Sequence, residues 1–171
     1  MCIVWLTSSL DFYLITFLVN TFDQVYLTAL ASSLADFVAY ALSGFLYPIL
    51  RARVSFTSFF SLSFIGGIVI LAYGLQHQDD WTFVLLILIV KLGISAAINI
   101  VYVAHCDIFP PLFAAAALGY CNVLARIFTS MSTLMASLEE PVPMWIFTVT
   151  AGLAAILSIF LSPPSKETAE S

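Results

Sequence analysis

Six stretches of nearly unbroken apolar residues, separated by short polar joins, limit what this chain can become. They run over Cys2–Thr21, Gln24–Leu50, Phe56–Leu75, Trp81–His105, Pro111–Ser137 and Pro143–Ser162. Each is close to the roughly 20 residues an α-helix needs to cross the hydrocarbon of a bilayer. They are continuous and not alternating, which argues against the strands of a closed β-barrel. The expectation is an all-α membrane protein with six transmembrane helices. Residues 1–162 form one membrane unit, and 163–171 read as a polar, disordered tail.

Composition agrees. Of 171 residues, 62% are hydrophobic and 9% charged, with a mean hydropathy of +1.08. A soluble domain averages about 25% charged residues, so this chain lacks the polar groups to cover a soluble surface. Its net charge of −5 is scattered and forms no basic patch, which removes nucleic-acid binding as a class. The three cysteines, Cys2, Cys106 and Cys121, show no disulfide-like spacing and read as small apolar fillers. The start of the chain has no basic region ahead of its first apolar run, so no cleavable signal peptide is expected.

The joins set a topology. Arg51 and Arg53 lie between runs two and three, and Lys166 follows run six. The joins at Asp23, Asp79-Asp80 and Glu139-Glu140 contain no Lys or Arg. Positive charge favours the cytosol-equivalent side, which places both ends and the Arg51 join there and the acidic joins opposite. Trp81 and Trp145 stand at run starts, as interfacial anchors do.

Four charges fall inside the runs: Asp11, Asp36, Lys91 and Arg126. One at mid-membrane depth costs roughly 3 kcal/mol or more unless it meets a partner or a polar cavity. These four sum to zero, so the expectation is a polar seam between helices. For Arg126 the structural reading is an ion pair with Asp36 or Asp11. Small residues (Ala29, Ala31, Ser32, Ser33 and Ala35; Gly66 and Gly67; Ala114 to Ala117) permit close helix approach. His105-Cys106-Asp107 has the composition of a metal cluster, but three consecutive residues at a helix end do not converge on one ion. No phosphate loop, nucleophile elbow or catalytic carboxylate pair occurs. The chain therefore reads as a non-enzyme with no cofactor and no metal.

From Lys91 to Arg126 the chain reads KLGISAAINIVYVAHCDIFPPLFAAAALGYCNVLAR. Lys91, Gly93, Ile94, Ser95, Asn99, Tyr102, Phe109, Pro110, Leu118, Gly119, Ala125 and Arg126 hold their spacing against a motif of the major facilitator superfamily. The stretch resembles the junction of helices ten and eleven in the organic anion and cation transporter branch, with Asp107 in place of a Glu. Run one resembles helix seven, with Phe12 and Tyr13 as its aromatic pair, and Asp36-Phe37-Val38-Ala39-Tyr40 is similar to the branch's E-x-P-A-Y. The resemblance implies the C-terminal six helices of a twelve-helix transporter, built as two inverted three-helix repeats with runs three and six outermost. For a transporting protein it implies substrate contacts from Arg126, Lys91, Asp36, Tyr13, Phe12 and Tyr40. Arg51, Asp107 and Pro110 correspond to remnants of the gate loops. Pro111 and Ala114 replace a Thr and an Arg of the gate, and only one Arg of the other loop survives, at Arg51.

Two functional readings follow. The eroded gate and the absent N-terminal helices favour a non-transporting accessory subunit of a larger membrane complex. The alternative is the active half of an organic ion transporter, for a small organic anion, that needs a complementary six-helix half. Partners on either reading are the lipid bilayer and other membrane subunits or that second half. The mitochondrial inner membrane houses many accessory chains of this kind; the plasma membrane is the alternative location.

Overall fold

The computed structural model describes residues 2–19, 25–72, 81–139 and 141–160, and all regular structure among them is helical. Five helical segments follow in order: α1 (Cys2–Val19), α2 (Val25–Ala72), α3 (Trp81–Ile108), α4 (Pro111–Ala136) and α5 (Val142–Ile159). The polar tail, the acidic joins at Asp23 and Asp79-Asp80, and Glu140 lie outside the described residues.

Helix α2 covers runs two and three, and the expected break between them is itself helical. A straight helix of 48 residues would be roughly 70 Å long, yet its contacts rule that out. Going forward through α2, Ser43 meets Asn99 and Tyr47 meets Asp107. Further on, Phe59 and Ser63 face Gly93, and Gly66 faces Val90. The first portion therefore climbs α3 and the second descends it. The two are antiparallel arms, Ala29–Leu50 and Ala52–Ala72. Pro48 lies at the bend. Its ring removes a backbone donor and crowds the carbonyl four residues earlier, which weakens the helix there.

The described residues thus form six rods. Five are long and apolar enough to cross a membrane, and α1 is shorter, with an apolar stretch of Cys2–Phe17. Their senses alternate. Trp5 packs on Tyr102 and Thr16 meets Lys91, so α1 and α3 are antiparallel. Cys2 meets Cys121 and Tyr13 meets Arg126, so α1 and α4 are parallel.

Close packing uses glycines where the sequence suggested small residues. A Cβ on Gly66 would strike Val90, one on Gly67 would strike Thr148, one on Gly93 would strike Ser63, and one on Gly152 would strike Phe64. In a membrane, helices associate by such close approach. The second arm, α3 and α5 are welded this way around Phe56, Phe60, Ile94 and Phe147. The alanines at 114–117 divide: Ala115 and Ala116 are exposed, while Ala114 and Ala117 are half-buried. The outer surface is studded with Phe45, Ile65, Leu85, Leu134 and Ile156, as a lipid-facing surface should be.

Between α3 and α4 the chain turns within two residues. Phe109 N–H still donates to the His105 carbonyl at 3.1 Å, and Pro110 then caps α4, accepting from Phe113 and Ala114, each at 2.9 Å. Pro111 occupies the first turn, where a missing donor has no cost.

Candidate functional site

A polar seam runs between α1, α3 and the helices beside them. Its centre is Lys91, only 1% exposed. The ammonium lies 3.8 Å from an Asp36 carboxylate oxygen, donates to the Thr16 hydroxyl, and sits 4.2 Å from the centre of the Phe12 ring. Ser95 donates to the other oxygen of Asp36. One turn on, Asn99 donates to Ser43 at 2.7 Å. Lys91, Ser95 and Asn99 are spaced by four, so they form one stripe of α3. Asp36 and Ser43 share a face of the first arm and meet that stripe.

Asp11 sits apart. It is fully buried and accepts from Thr150 of α5, while its second carboxylate oxygen has no hydrogen-bond partner among the described residues. Near the elbow, the Tyr47 hydroxyl donates to Asp107 at 2.7 Å, tying the first arm to the end of α3. His105 is buried between the Trp5 and Phe109 rings, with Nε2 3.1 Å from the Ala114 carbonyl. Cys106 and Asp107 are exposed instead, so the three consecutive residues diverge. Among the described residues no three His, Cys, Asp or Glu side chains group as metal ligands would.

Arg126 behaves differently from Lys91. It is exposed, and it reaches neither Asp36 nor Asp11, which corrects the ion pair expected from charge balance. Lys91 takes Asp36, and Thr150 takes Asp11. Arg126 instead donates to the Tyr13 hydroxyl at 2.7 Å, with its guanidinium 5.6 Å from the Tyr13 ring centre. It opens into a cleft lined by Ser9, Tyr13, Ile98, Tyr102, Asn122, Ala125 and Thr129.

The nine residues singled out from sequence therefore separate. Lys91, Asp36 and Phe12 form one cluster, and Arg126 and Tyr13 form another, the two touching where the Phe12 and Tyr13 rings meet edge to face with centres 5.5 Å apart. Tyr40 is exposed on the first arm, one helical turn from both Asp36 and Ser43. Asp107 is tied down by Tyr47, and Pro110 caps α4. Arg51 lies within α2, but its side chain falls outside the described residues. Sequence reasoning missed Thr16, Thr150, Ser9 and Asn122. Lone hydroxyls and amides in apolar runs were the available signal. It also gave no hint that Cys2 and Cys121 meet, with sulfurs 3.2 Å apart.

No family model matches the chain. Among curated proteins, the human organic cation/carnitine transporter 2 is similar: 23% identical over 163 residues, covering 92% of this chain. The chain is a transporter-like membrane protein. It spans 29% of that relative's length. With its apolar helices, the similarity supports an integral, multi-pass membrane protein.

Proposed function

We propose that these six helices form one wall of a transporter for small organic anions, with Arg126 holding the substrate's carboxylate. The observation behind this is the contrast between the two intramembrane cations. Lys91 is neutralised by Asp36 within the seam, whereas Arg126 is exposed in a polar cleft with no carboxylate beside it among the described residues. A guanidinium offers donors in a planar fork that matches a carboxylate in two parallel bonds. Tyr13 holds one nitrogen and aims the rest. The aromatic faces of Tyr13 and Tyr102 suit the organic part of such a substrate.

Arg126 and the partly exposed Asp36 cannot face acyl chains without cost, so a second body covers this side. A complementary six-helix half is the simplest cover. The pairings of the rods support the inverted-repeat arrangement. Exchanging α1 with α3, the first arm with α4, and the second arm with α5 maps the α1–α4 pairing onto α3 with the first arm. It also returns the pairing of the second arm with α5 to itself. Such symmetry accompanies midplane binding between repeats.

A second reading is a non-transporting accessory subunit of a larger complex, in the mitochondrial inner membrane or the plasma membrane. The elbow favours it. Where the resemblance implies a gate arginine, Ala114 offers only its carbonyl to His105, and Asp107 is satisfied by Tyr47. A charge network of that kind is what two conformations of similar energy need.

The test is equilibrium binding of radiolabelled benzoate to the chain purified in gentle detergent with whatever co-purifies. Transport predicts saturable binding that Arg126→Ala weakens roughly 10- to 100-fold, the worth of a charge-assisted hydrogen bond, with Arg126→Lys intermediate. No saturable binding, together with a stable complex of unlike subunits, establishes the accessory reading instead.

A further inference from the structure

We infer that Cys2 and Cys121 are a thiol pair that oxidation closes into a disulfide, locking α1 onto α4. The two residues are 119 apart in sequence and stand on different helices, yet their sulfurs lie 3.2 Å apart. Both are free thiols, Cys2 exposed and Cys121 buried. A disulfide needs about 2.05 Å between sulfurs, so the pair must close by only about an ångström. Side-chain rotation supplies movement of that size. The same two helices meet again at Tyr13 and Arg126. A covalent tie between them fixes the wall on which the anion cleft is built.

The exposure difference sets the chemistry. The oxidant is hydrogen peroxide or another two-electron peroxide. The Cys2 sulfur attacks one peroxide oxygen and the O–O bond breaks. This leaves a sulfenic acid on Cys2 and releases one water. Cys121 then attacks that sulfur, forming the S–S bond and releasing a second water. Two thiols and one peroxide thus become one disulfide and two waters. A buried resolving thiol beside an exposed first thiol captures the sulfenic acid before it oxidises further. Cys106 is also exposed and serves as the internal reference for peroxide attack.

The experiment treats the full chain in detergent, and in bilayers, with a small excess of hydrogen peroxide. Remaining thiols are then alkylated under denaturing conditions, and peptides are mapped without reduction. The expected product is a peptide containing Cys2 joined to one containing Cys121. It should form equally in Cys106→Ser, vanish in Cys121→Ser, and revert with dithiothreitol. The inference is overturned if Cys2 proceeds to sulfinic acid while Cys121 stays alkylatable. It is equally overturned if Cys2 links to Cys106 or to another chain. The effect on the cleft rests on the transport reading and is measured separately. Oxidation should lower benzoate binding by the wild type, and Cys2→Ser should be insensitive. Absence of Arg126-dependent binding in either redox state defeats the transport reading and leaves the peptide map to decide the thiol pair.

Discussion

Lys91 and Asp36 show how a membrane interior treats charge. Each would be costly alone, and together they hold the first arm to α3 with Ser95 and Thr16 as donor and acceptor. Lys91→Met strands the carboxylate. Asp36's side chain is 24% exposed, so the expected loss is about 2–3 kcal/mol, below what breaking a fully buried pair costs. The double variant Lys91→Met with Asp36→Leu should recover most of it. Denaturation in detergent titrated with dodecyl sulfate measures both. For Asp11, Thr150→Val removes the hydroxyl that serves it among the described residues and should cost about 1–3 kcal/mol. Adding Asp11→Leu should return stability toward the wild type, because the stranded carboxylate is then gone. The four charges were legible in the sequence, but their partners were not. Charge balance fits any pairing; the choice depends on which faces the helices turn to one another, and those are set by packing. The stripe of Lys91, Ser95 and Asn99 was the readable part, since spacing by four needs no tertiary information.

At the scale of elements, the apolar runs foretold the rods and missed the nature of one join. Residues 51–55 carry two arginines and were expected to be a loop, yet they are helical. Alanine and arginine are good helix formers, and Pro48, close before the junction of the arms, weakens the helix there without ending it. Packing within the rods follows glycines. Leu at Gly93 or Gly66 must displace Ser63 or Val90 and should cost roughly 1–3 kcal/mol or more. At Gly44 or Gly119 an added Cβ meets nothing within 4 Å among the described residues, so the same change should be close to neutral there apart from the gain in helix propensity. A discordant ranking of those four variants in the same denaturation assay would show that the glycine contacts do not govern how the second arm docks.

For the whole molecule, alternating rods fix which joins share a face. Arg53 at the α2 bend and the elbow at Phe109 lie on one side, and Glu139 lies on the other. In a cysteine-free background, Arg53→Cys and Glu139→Cys should react with a membrane-impermeant maleimide from opposite faces of sealed vesicles. Labelling of both from one face would remove a crossing. The sidedness suggested by Arg51, Arg53 and Lys166 was available from charge alone.

The Asp36–Lys91 clasp also dates the assembly of the bundle. A ribosome makes the aspartate well before the lysine, so the first arm reaches the bilayer carrying a charge whose counterpart is still unmade. Until α3 emerges, that arm has reason to linger in the insertion channel or at the lipid headgroups. In nascent chains halted ahead of α3, a cysteine placed in the first arm should react with a membrane-impermeant maleimide, and in longer chains it should be shielded.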